Sequence, residues 1–248
     1  MGTCRVVIET EPQSGVRNMA IDEALLEAAH EQGLCTVRWY RWNTATVSLG
    51  YFQAESGASA NRELAGLPLV RRLTGGGAIL HHHEWTYSCA VPATHPLAQS
   101  PSRIYDLVHE QIIAALADRG VSSASPRGTK NPAAEAAFLC FGRGDPRDIV
   151  LSDHKIVGSA QRRRRGTVLQ HGSLLLRHSE YAPQFPGVLD LAPSTVVDDG
   201  FVSHLGESIG GIFGVPQTSA VHDGHIMNRV TALEPRYRTL DWRRGVSH

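Results

Sequence analysis

The sequence predicts an α+β protein with a mostly antiparallel or mixed sheet. Short strand-like segments occur in both parts of the chain, and residues 36–42 show the two-residue alternation of a strand. One long amphipathic helix separates an early group of strands from a later group of hairpins. No repeat occurs at any period.

The first part of the chain begins with a strand at 5–9 and a helix at about 18–32. Asn18 is the predicted N-cap of this helix, and Gly33 is expected to end it. Further strands are expected at 36–42, 46–49, 69–73, 78–81 and 85–91, with a short helix at 60–65.

The clearest helix starts at Ser102 and ends at Gly120, because apolar residues recur on one face between them. Residues 121–134 are rich in Ser, Pro and Gly and are predicted to be a loop. Strands are predicted at 148–151 and 155–163 around a turn, then one or two at 167–177, a flexible break at 210–214 and a helix at 229–240.

Composition excludes several classes of function. The chain has 24 basic and 24 acidic residues in 248 and a formal net charge of +0, which argues against whole-molecule attraction to nucleic acid or anionic membrane. No apolar segment is long enough to span a bilayer, and no signal peptide is recognised. Cys4, Cys35, Cys89 and Cys140 form no CxxC pair. We therefore expect a soluble cytoplasmic protein with reduced thiols.

Three glycines, Gly75, Gly76 and Gly77, lie between two predicted strands in the motif VRRLTGGGAILH and are called the glycine loop below. Without a Cβ, such a loop lets backbone N–H groups approach an anion or a narrow acyl chain. Arg71 and Arg72 point to opposite faces, so at least one could reach a carboxylate or phosphate. The alternative is a plain glycine-rich hairpin loop. Neither the G-x-G-x-x-G spacing nor a Walker lysine is present.

The motif KIVGSAQ begins at Lys155, one of two lysines in the chain with Lys130. In a strand, Lys155, Val157 and Ser159 share one face, while Gly158 allows a close approach on the other. The lysine could instead protect a strand edge from aggregation.

The motif QHGS places His171 where a substrate-facing turn is expected, although a surface histidine would give the same pattern. The arginines at 162–165 are typical of a solvated hairpin tip, with a docking patch for an acidic partner as the alternative. The motif HHHE at 81–84 resembles a metal cluster, but adjacent residues alternate faces in a strand, so we expect no metal site.

Cys140 follows a short apolar segment and could be an inert, buried thiol. A functional thiolate would need a nearby cation. Lys155 lies fifteen positions downstream across a predicted hairpin and could supply that cation.

Taken together, these motifs resemble the catalytic domain of the lipoate–protein ligase and octanoyltransferase family, which includes biotin–protein ligases. The resemblance runs over about residues 6–176, with 178–248 as an extension of one domain spanning 1–248. It is carried, in the family's order, by NMAIDEALL at 18–26, RRLTGGGA at 71–78, KIVGSAQ at 155–161 and QHGS at 170–173.

The resemblance implies a single biotin/lipoate protein ligase-like catalytic domain with a central mixed sheet flanked by helices. It also implies an acyl-binding tunnel over the glycine loop and a lysine, Lys155, that contacts the acyl carbonyl or acyl phosphate. The candidate substrate-binding residues are Arg71, Gly75, Gly76, Gly77, His81, Gly158, Ser159, Ala160 and His171.

Two chemistries occur in this family. Ligases activate lipoate with ATP and Mg²⁺ through lipoyl-AMP. Transferases take octanoate from octanoyl-acyl carrier protein through a cysteine thioester, without ATP or metal. Both modify a lysine of a lipoyl domain, such as the glycine cleavage H protein or the acyltransferase subunit of a 2-oxoacid dehydrogenase.

Three features resemble the transferase branch: the segment TYS at 86–88, Cys140 upstream of the lysine motif, and only about seventy residues after His178. Gly77 is more typical of ligases, and His82 stands where aspartate is common. The resemblance therefore favours an octanoyltransferase with Cys140 as nucleophile and Lys155 as the cation that stabilises its thiolate. The alternatives are an ATP-dependent lipoate–protein ligase and a non-catalytic binder of lipoyl domains or RNA acting through residues 162–165.

Overall fold

The computed structural model describes residues 2–57, 61–128, 138–219 and 223–241. The strands of these residues are β1 Thr3–Ile8, β2 Cys35–Tyr40, β3 Thr46–Leu49, β4 Leu69–Arg71, β5 Ile79–His81, β6 Glu84–Val91, β7 Ser125–Pro126, β8 Ile149–Leu151, β9 His154–Arg164, β10 Thr167–Leu175 and β11 Val215–Ser219. The helices are α1 Gly15–Gln32, α2 Pro101–Asp118, α3 Val188–Leu191, α4 Asp199–Phe213 and α5 Gly224–Tyr237. Single 3₁₀ turns cover Arg62–Leu64, Pro96–Gln99 and Cys140–Gly142.

Eight strands form one mixed sheet in the order β11-β1-β2-β6-β10-β9-β8-β7. Strand β1 pairs in parallel with β2 and β11, whereas the pairs from β2 through β6, β10, β9 and β8 to β7 are antiparallel. Strands β4, β3 and β5 form a separate small sheet that leads into and out of the glycine loop. The predicted α+β class with a central mixed sheet is confirmed.

Helices cover both faces of the large sheet. Helix α1 packs with α5 in one apolar cluster that includes Leu25, Leu169 and Val230. Helices α2 and α4 pack in a second cluster that includes Ile112 and Leu205. Because both faces are covered, every residue of β2, β6 and β10 is buried.

The start of α1 differs from the prediction. Ser14, and not Asn18, is the N-cap, and its side chain accepts a hydrogen bond from Arg17 N. Asn18 lies inside the helix with its buried amide donating to Arg41 O at 3.1 Å. Both residue types suit an N-cap, so the sequence pattern alone did not separate them. The predicted end is confirmed, because Gly33 has a left-handed φ of 68°.

The flexible break predicted at 210–214 is wrong, because Gly210 lies within α4. A Cβ on Gly210 would come 2.7 Å from Val6 Cγ2 of the sheet below, so the glycine permits close helix–sheet packing. The last helix begins at Gly224, earlier than predicted, because Asp223 caps it by accepting from Ile226 N.

The remaining differences are small. Residues 167–177 supply one strand, and the predicted loop at 121–134 contains the two-residue strand β7. Lys130, residues 129–134 of that loop and Ala60 of the short helix predicted at 60–65 lie outside the described residues. Across the described parts of the chain, no helix combines the length and the apolar character needed to cross a bilayer.

Candidate active site

Cys140 is held beside the exit of the glycine loop by backbone pairing. Leu139 forms a parallel bridge with Ala78, the residue that follows the loop. The Ala78 N–H donates to Phe138 O at 3.1 Å, and the Cys140 N–H donates to Ala78 O at 2.6 Å. The thiol is therefore fixed next to a segment that is distant from it in sequence.

Lys155 lies near the start of β9, and its ammonium group is buried beside Cys140. Its Nζ donates to Cys140 O at 3.3 Å and lies 3.8 Å from Cys140 Sγ. The same group forms a 2.9 Å ion pair with Asp148 Oδ1 and lies 5.2 Å from the centre of the Phe141 ring. The predicted hairpin is confirmed, and it brings the cation to the sulfur.

The prediction that the Lys155 side chain lies on the same face of β9 as Ser159 is wrong. Ile149 pairs with Val157 and Val150 with Lys155, so β9 contains an extra residue at this point, a bulge. A Cβ on Gly158 would come 2.8 Å from Lys155 Nζ. The lysine side chain thus crosses the space that Gly158 leaves empty and does not follow the row of Ser159.

Asp148 is a site residue that the sequence analysis missed. Its carboxylate, which is only 4% exposed, holds Lys155 and also accepts from Asp145 N at 2.8 Å. Burial raises the pKa of Asp148, and the adjacent Lys155 ammonium opposes that rise. An acidic residue just before the β8–β9 hairpin was the available signal, but the pairing across the bulge could not be seen in the sequence.

Arg72 fixes the shape of the glycine loop. Its guanidinium donates to Gly75 O at 2.7 Å, to Gly77 O at 2.6 Å and to Ser48 O at 2.7 Å. Burial lowers the pKa of Arg72 to about 10, so the group is still charged at neutral pH. The hydrogen bonds of the Arg72 guanidinium are thus made to carbonyl oxygens of the protein, two of them in the glycine loop.

Geometry constrains two of the three loop glycines. Gly76 has a φ of 89°, in the left-handed region. A Cβ on Gly77 would come 3.0 Å from Arg143 Nε and 3.1 Å from Phe138 O, whereas Gly75 has open space. The guanidinium of Arg143, three residues after Cys140, therefore lies directly against the loop.

Arg71 points away from Arg72, as the alternation predicted, and is fully buried. It donates to Gly50 O at 2.9 Å, Gln53 O at 2.7 Å and Leu240 O at 3.0 Å. These bonds connect the segment after β3 to the end of the described chain. A role for Arg71 in binding substrate stays a prediction.

His81 is enclosed at the end of β5. Its Nδ1 lies 2.6 Å from Glu84 Oε1, its Nε2 lies 2.7 Å from Ser48 Oγ, and its ring stacks on Trp42 at 3.8 Å. Both ring nitrogens therefore have protein partners, and a substrate role for His81 stays a prediction.

His171 connects three of the sequence motifs. Its Nε2 lies 3.1 Å from Thr74 Oγ1, just before the glycine loop, and its Nδ1 lies 3.6 Å from Asp22 of α1. Burial lowers the pKa of His171. Burial alone would raise the pKa of Asp22, but His171, Arg38 and Ser88 lower it. The motifs at 18–26, 71–78 and 170–173 thus meet in one buried polar network, and Ala160 pairs with His171 across β9 and β10.

Ser159 belongs to a second network on the side of α2. Its hydroxyl lies 2.7 Å from His109 Nε2 and 2.6 Å from Tyr87 Oη. His109 Nδ1 lies 2.7 Å from the carbonyl of Arg147, so Nδ1 must donate and Nε2 must accept from Ser159. Burial lowers the pKa of His109 to about 4. This buried histidine was also missed, because it lies within an ordinary helical pattern.

Cys140 differs from the other three cysteines in exposure. It is half-buried, whereas Cys4, Cys35 and Cys89 are buried. Burial raises the pKa of Cys4 to about 12, that of Cys35 to about 11 and that of Cys89 well above its ordinary value. Because the thiolate is the reactive form, the three buried thiols are poor nucleophiles. The prediction that Cys89 packs in the core is confirmed.

The arginines at 162–165 are partly engaged by the protein itself. The Arg162 guanidinium lies 4.4 Å from the centre of the Tyr51 ring, and Arg164 lies 3.2 Å from Glu23. Arg165 has a φ of 50° at the hairpin turn. The hairpin tip is therefore confirmed, and the docking role stays a prediction.

A small apolar cavity of about 20 Å³ lies beside this centre. Cys140 packs against the apolar cluster that contains Phe141 and Leu175, and both residues also line the cavity. At this volume the cavity holds about one water molecule, so an aliphatic chain would enter only if the lining side chains moved apart. Its apolar lining consists of Leu80, Leu139, Phe141, Leu175, Ala182 and Phe185.

Comparison with known proteins identifies similar sequences. Residues 14–200 match the family described as "Lipoyl protein ligase A/B catalytic domain". The chain is 37% identical over 179 residues to the octanoyltransferase LipM of Brevibacillus brevis and 40% identical over 177 residues to that of Moorella thermoacetica. Each match covers 68% of this chain and 64% of the relative, so the chain spans less than two thirds of these proteins.

Solved structures support the fold. Lipoate-protein ligase A bound with ATP has a TM-score of 0.71 at 20% identity, with 100% of both chains covered. A bi-partite lipoate protein ligase from Thermoplasma acidophilum has a TM-score of 0.69 at 20% identity, covering 100% of this chain and 97% of that one. At these identities the similarity establishes the architecture alone.

Proposed function

Because this chain belongs to the lipoyl protein ligase A/B catalytic domain family, we propose that it is an octanoyltransferase. It takes an octanoyl group from acyl carrier protein and passes it, through a thioester on Cys140, to a lysine of a lipoyl domain. The 3.8 Å contact between Lys155 Nζ and the half-buried sulfur of Cys140 is the observation that carries this proposal.

The first step is attack of the Cys140 thiolate on the carbonyl carbon of the donor thioester. The Lys155 ammonium favours the thiolate because opposite charges attract strongly where water is excluded. A new C–S bond forms at Cys140, the donor C–S bond breaks, and the carrier leaves as a thiolate that takes up a proton.

In the second step, the neutral amine of the target lysine attacks the acyl-enzyme. A C–N bond forms, the bond to Cys140 Sγ breaks, and the amine loses a proton as the amide is made. Cys140 returns to the thiolate beside Lys155, so the enzyme is regenerated. The proposed acceptors are the glycine cleavage H protein and the acyltransferase subunit of 2-oxoacid dehydrogenases, whose lipoyl domains present the required lysine.

Lys155 also suits the stabilisation of developing negative charge. One of its N–H groups is directed to Asp148 and another to Cys140 O. The remaining donor would serve the carbonyl oxygen of an acyl group bonded to the nearby sulfur. The acyl chain would then extend along the apolar lining of the cavity, whose side chains would have to move apart to admit it.

This reaction needs neither ATP nor a metal, because a thioester is already an activated acyl donor. The second candidate is an ATP-dependent lipoate–protein ligase that forms lipoyl-AMP with ATP and Mg²⁺. It is supported by the architecture shared with the ATP-bound ligase. Gly77 is more typical of ligases, and Lys155 would be compatible with either chemistry.

One assay separates the two candidates. Apo lipoyl domain is incubated with the protein and either octanoyl-acyl carrier protein or lipoate with Mg-ATP, and the acceptor is weighed by intact-protein mass spectrometry. The transferase predicts modification with the acyl carrier donor that is lost in Cys140→Ala. Modification with lipoate and Mg-ATP alone, unaffected by Cys140→Ala, would establish the ligase.

A non-catalytic role as a binder of lipoyl domains or RNA has its own test. Neutralising the arginines at 162–165 should then abolish function, while Lys155→Ala should leave it intact. If the protein is instead an octanoyltransferase, Lys155→Ala should abolish its function.

A further inference from the structure

The bend between β5 and β6 places two histidines side by side. His82 and His83 link the end of β5 to the start of β6, and their rings stack with centroids 3.7 Å apart at 26°. The two imidazoles therefore lie on the same side of the chain. The alternation that argued against a metal site in the sequence holds in a strand but is wrong in this bend.

A carboxylate from another segment completes the cluster. Residues 179–182 form a turn closed by the Ala182 N–H donating to Ser179 O at 3.0 Å. This turn brings Glu180 Oε2 to 3.4 Å from His82 Nδ1, and Ser179 Oγ lies 3.0 Å from the same nitrogen. One ligand atom from each of His82, His83 and Glu180 lies within 4.8 Å of the others.

These distances are close to those of a metal centre. In a tetrahedral site, metal–ligand bonds of about 2.0–2.1 Å place the ligand atoms about 3.4 Å from one another. The ligand atoms of this cluster would therefore have to move by about 1–2 Å, which rotation of the side chains can supply. His83 is exposed and the Glu180 side chain is 64% exposed, so both are able to rotate.

We propose that His82, His83 and Glu180 bind one divalent transition-metal ion of the Zn²⁺ class. Two imidazole nitrogens and one carboxylate oxygen are a ligand set that zinc accepts, with a fourth position left to water. Mg²⁺ prefers oxygen ligands and would bind poorly.

The position of this site relative to the apolar cavity determines what a bound ion would do. His82, His83 and Ser179 are among the residues that line the apolar cavity. An ion held by the β5–β6 bend and the 179–182 turn would tie these two lining segments together. If the acyl chain of the proposed function enters this cavity, the ion would hold part of the cavity wall in place.

The test is direct titration of the untagged protein with ZnCl₂ in an isothermal calorimeter, without any acyl donor. We expect saturable binding of one ion per chain. His83→Ala and Glu180→Gln should each weaken it by about tenfold or more. His204→Ala is the matched control, because this exposed histidine lies on α4, away from the cluster, and its loss should change nothing.

Equal binding by His83→Ala and the wild type would overturn the proposal, as would binding that disappears in Cys140→Ala. MgCl₂ binding of equal strength would overturn the assigned metal class. Circular dichroism of the metal-free variants checks that they are folded. The measurement involves no acyl transfer, so its outcome is independent of the proposed function.

Discussion

The ammonium of Lys155 lies 3.8 Å from the sulfur of Cys140, although the two residues are fifteen positions apart and belong to different supports. Cys140 is attached through its N–H to Ala78, beside the glycine loop. Lys155 is carried by the hairpin of β8 and β9 and is held by Asp148. The distance between Lys155 and Cys140 therefore depends both on the pairing of Cys140 with Ala78 and on the β8–β9 hairpin. Each can be altered by mutation without changing the other.

Cys140→Ser should lower transfer from the octanoyl thioester by roughly a thousandfold or more, nearly as much as Cys140→Ala. The physical reason is that an alcohol ionises far less readily than a thiol and is a weaker nucleophile at neutral pH. The measurement is the initial rate of lipoyl-domain acylation, with circular dichroism as the check on folding.

The wild type mixed with donor alone should carry one adduct of about 126 Da, the mass of an octanoyl group replacing a hydrogen. Peptide mapping should place it on Cys140. Cys4, Cys35 and Cys89 are internal controls, because they are buried and their pKa values are raised. An adduct on Cys89 would transfer the role of nucleophile to that residue.

Gly158→Ala should abolish most of the activity and lower the free energy of unfolding by up to about 3 kcal/mol, because moving Lys155 also disturbs its buried ion pair with Asp148. The new Cβ meets the flexible end of Lys155, so the fold accommodates it by displacing the lysine from Cys140. Rates and urea unfolding curves are compared for the same preparations.

Gly211→Ala is the matched control for that substitution. Gly211 lies in α4 with open space around its Cβ position, so alanine should stabilise the helix by about 0.5–1 kcal/mol and leave activity unchanged. Full activity in Gly158→Ala would show that the reaction does not require the Lys155 side chain to pass over Gly158.

Much of this centre could be predicted from the sequence. The ordered motifs gave the family, and the hairpin between Cys140 and Lys155 gave their proximity. The β9 bulge could not be predicted, because one extra residue leaves no trace in a pattern with a period of two. It also concealed the path of Lys155 over Gly158 and the pairing with Asp148.

Other features escaped prediction because they depend on contacts between distant segments. Gly210 looked like a chain break, yet it makes room for Val6 of the sheet. His82 and His83 looked like alternating strand residues, yet they occupy a bend. Local patterns specify the element, whereas the packing partner decides what a glycine or a histidine does within it.

Asp148→Asn should destabilise the fold by about 3 kcal/mol, because it leaves the Lys155 ammonium buried without its counter-charge. Adding Lys155→Met to this variant should restore much of the loss, since both buried charges are then gone. Urea unfolding of the wild type, both single variants and the double variant gives the coupling. A coupling near zero would contradict the ion pair's role in stability.

The last prediction concerns acid sensitivity through His109. Burial lowers the pKa of His109 to about 4 in the folded protein, whereas an unfolded histidine titrates near 6.5. Between these values the unfolded chain binds the additional proton, so folding stability falls as pH falls through this window. Relative to pH 7.5, this residue should remove about 2 kcal/mol at pH 5.

The structure gives a reason for this sensitivity, because a proton on His109 Nε2 would compete with the hydrogen bond from Ser159 while Nδ1 already donates to Arg147 O. His109→Gln keeps a donor and an acceptor but does not titrate. Its unfolding free energy should therefore vary less between pH 7.5 and pH 5, by about 2 kcal/mol, while other buried histidines such as His171 contribute equally to both proteins. His30→Gln, which removes an exposed histidine of α1, should keep the wild-type dependence. Identical pH profiles for His109→Gln and the wild type would mean that His109 is not the group that makes the fold sensitive to acid.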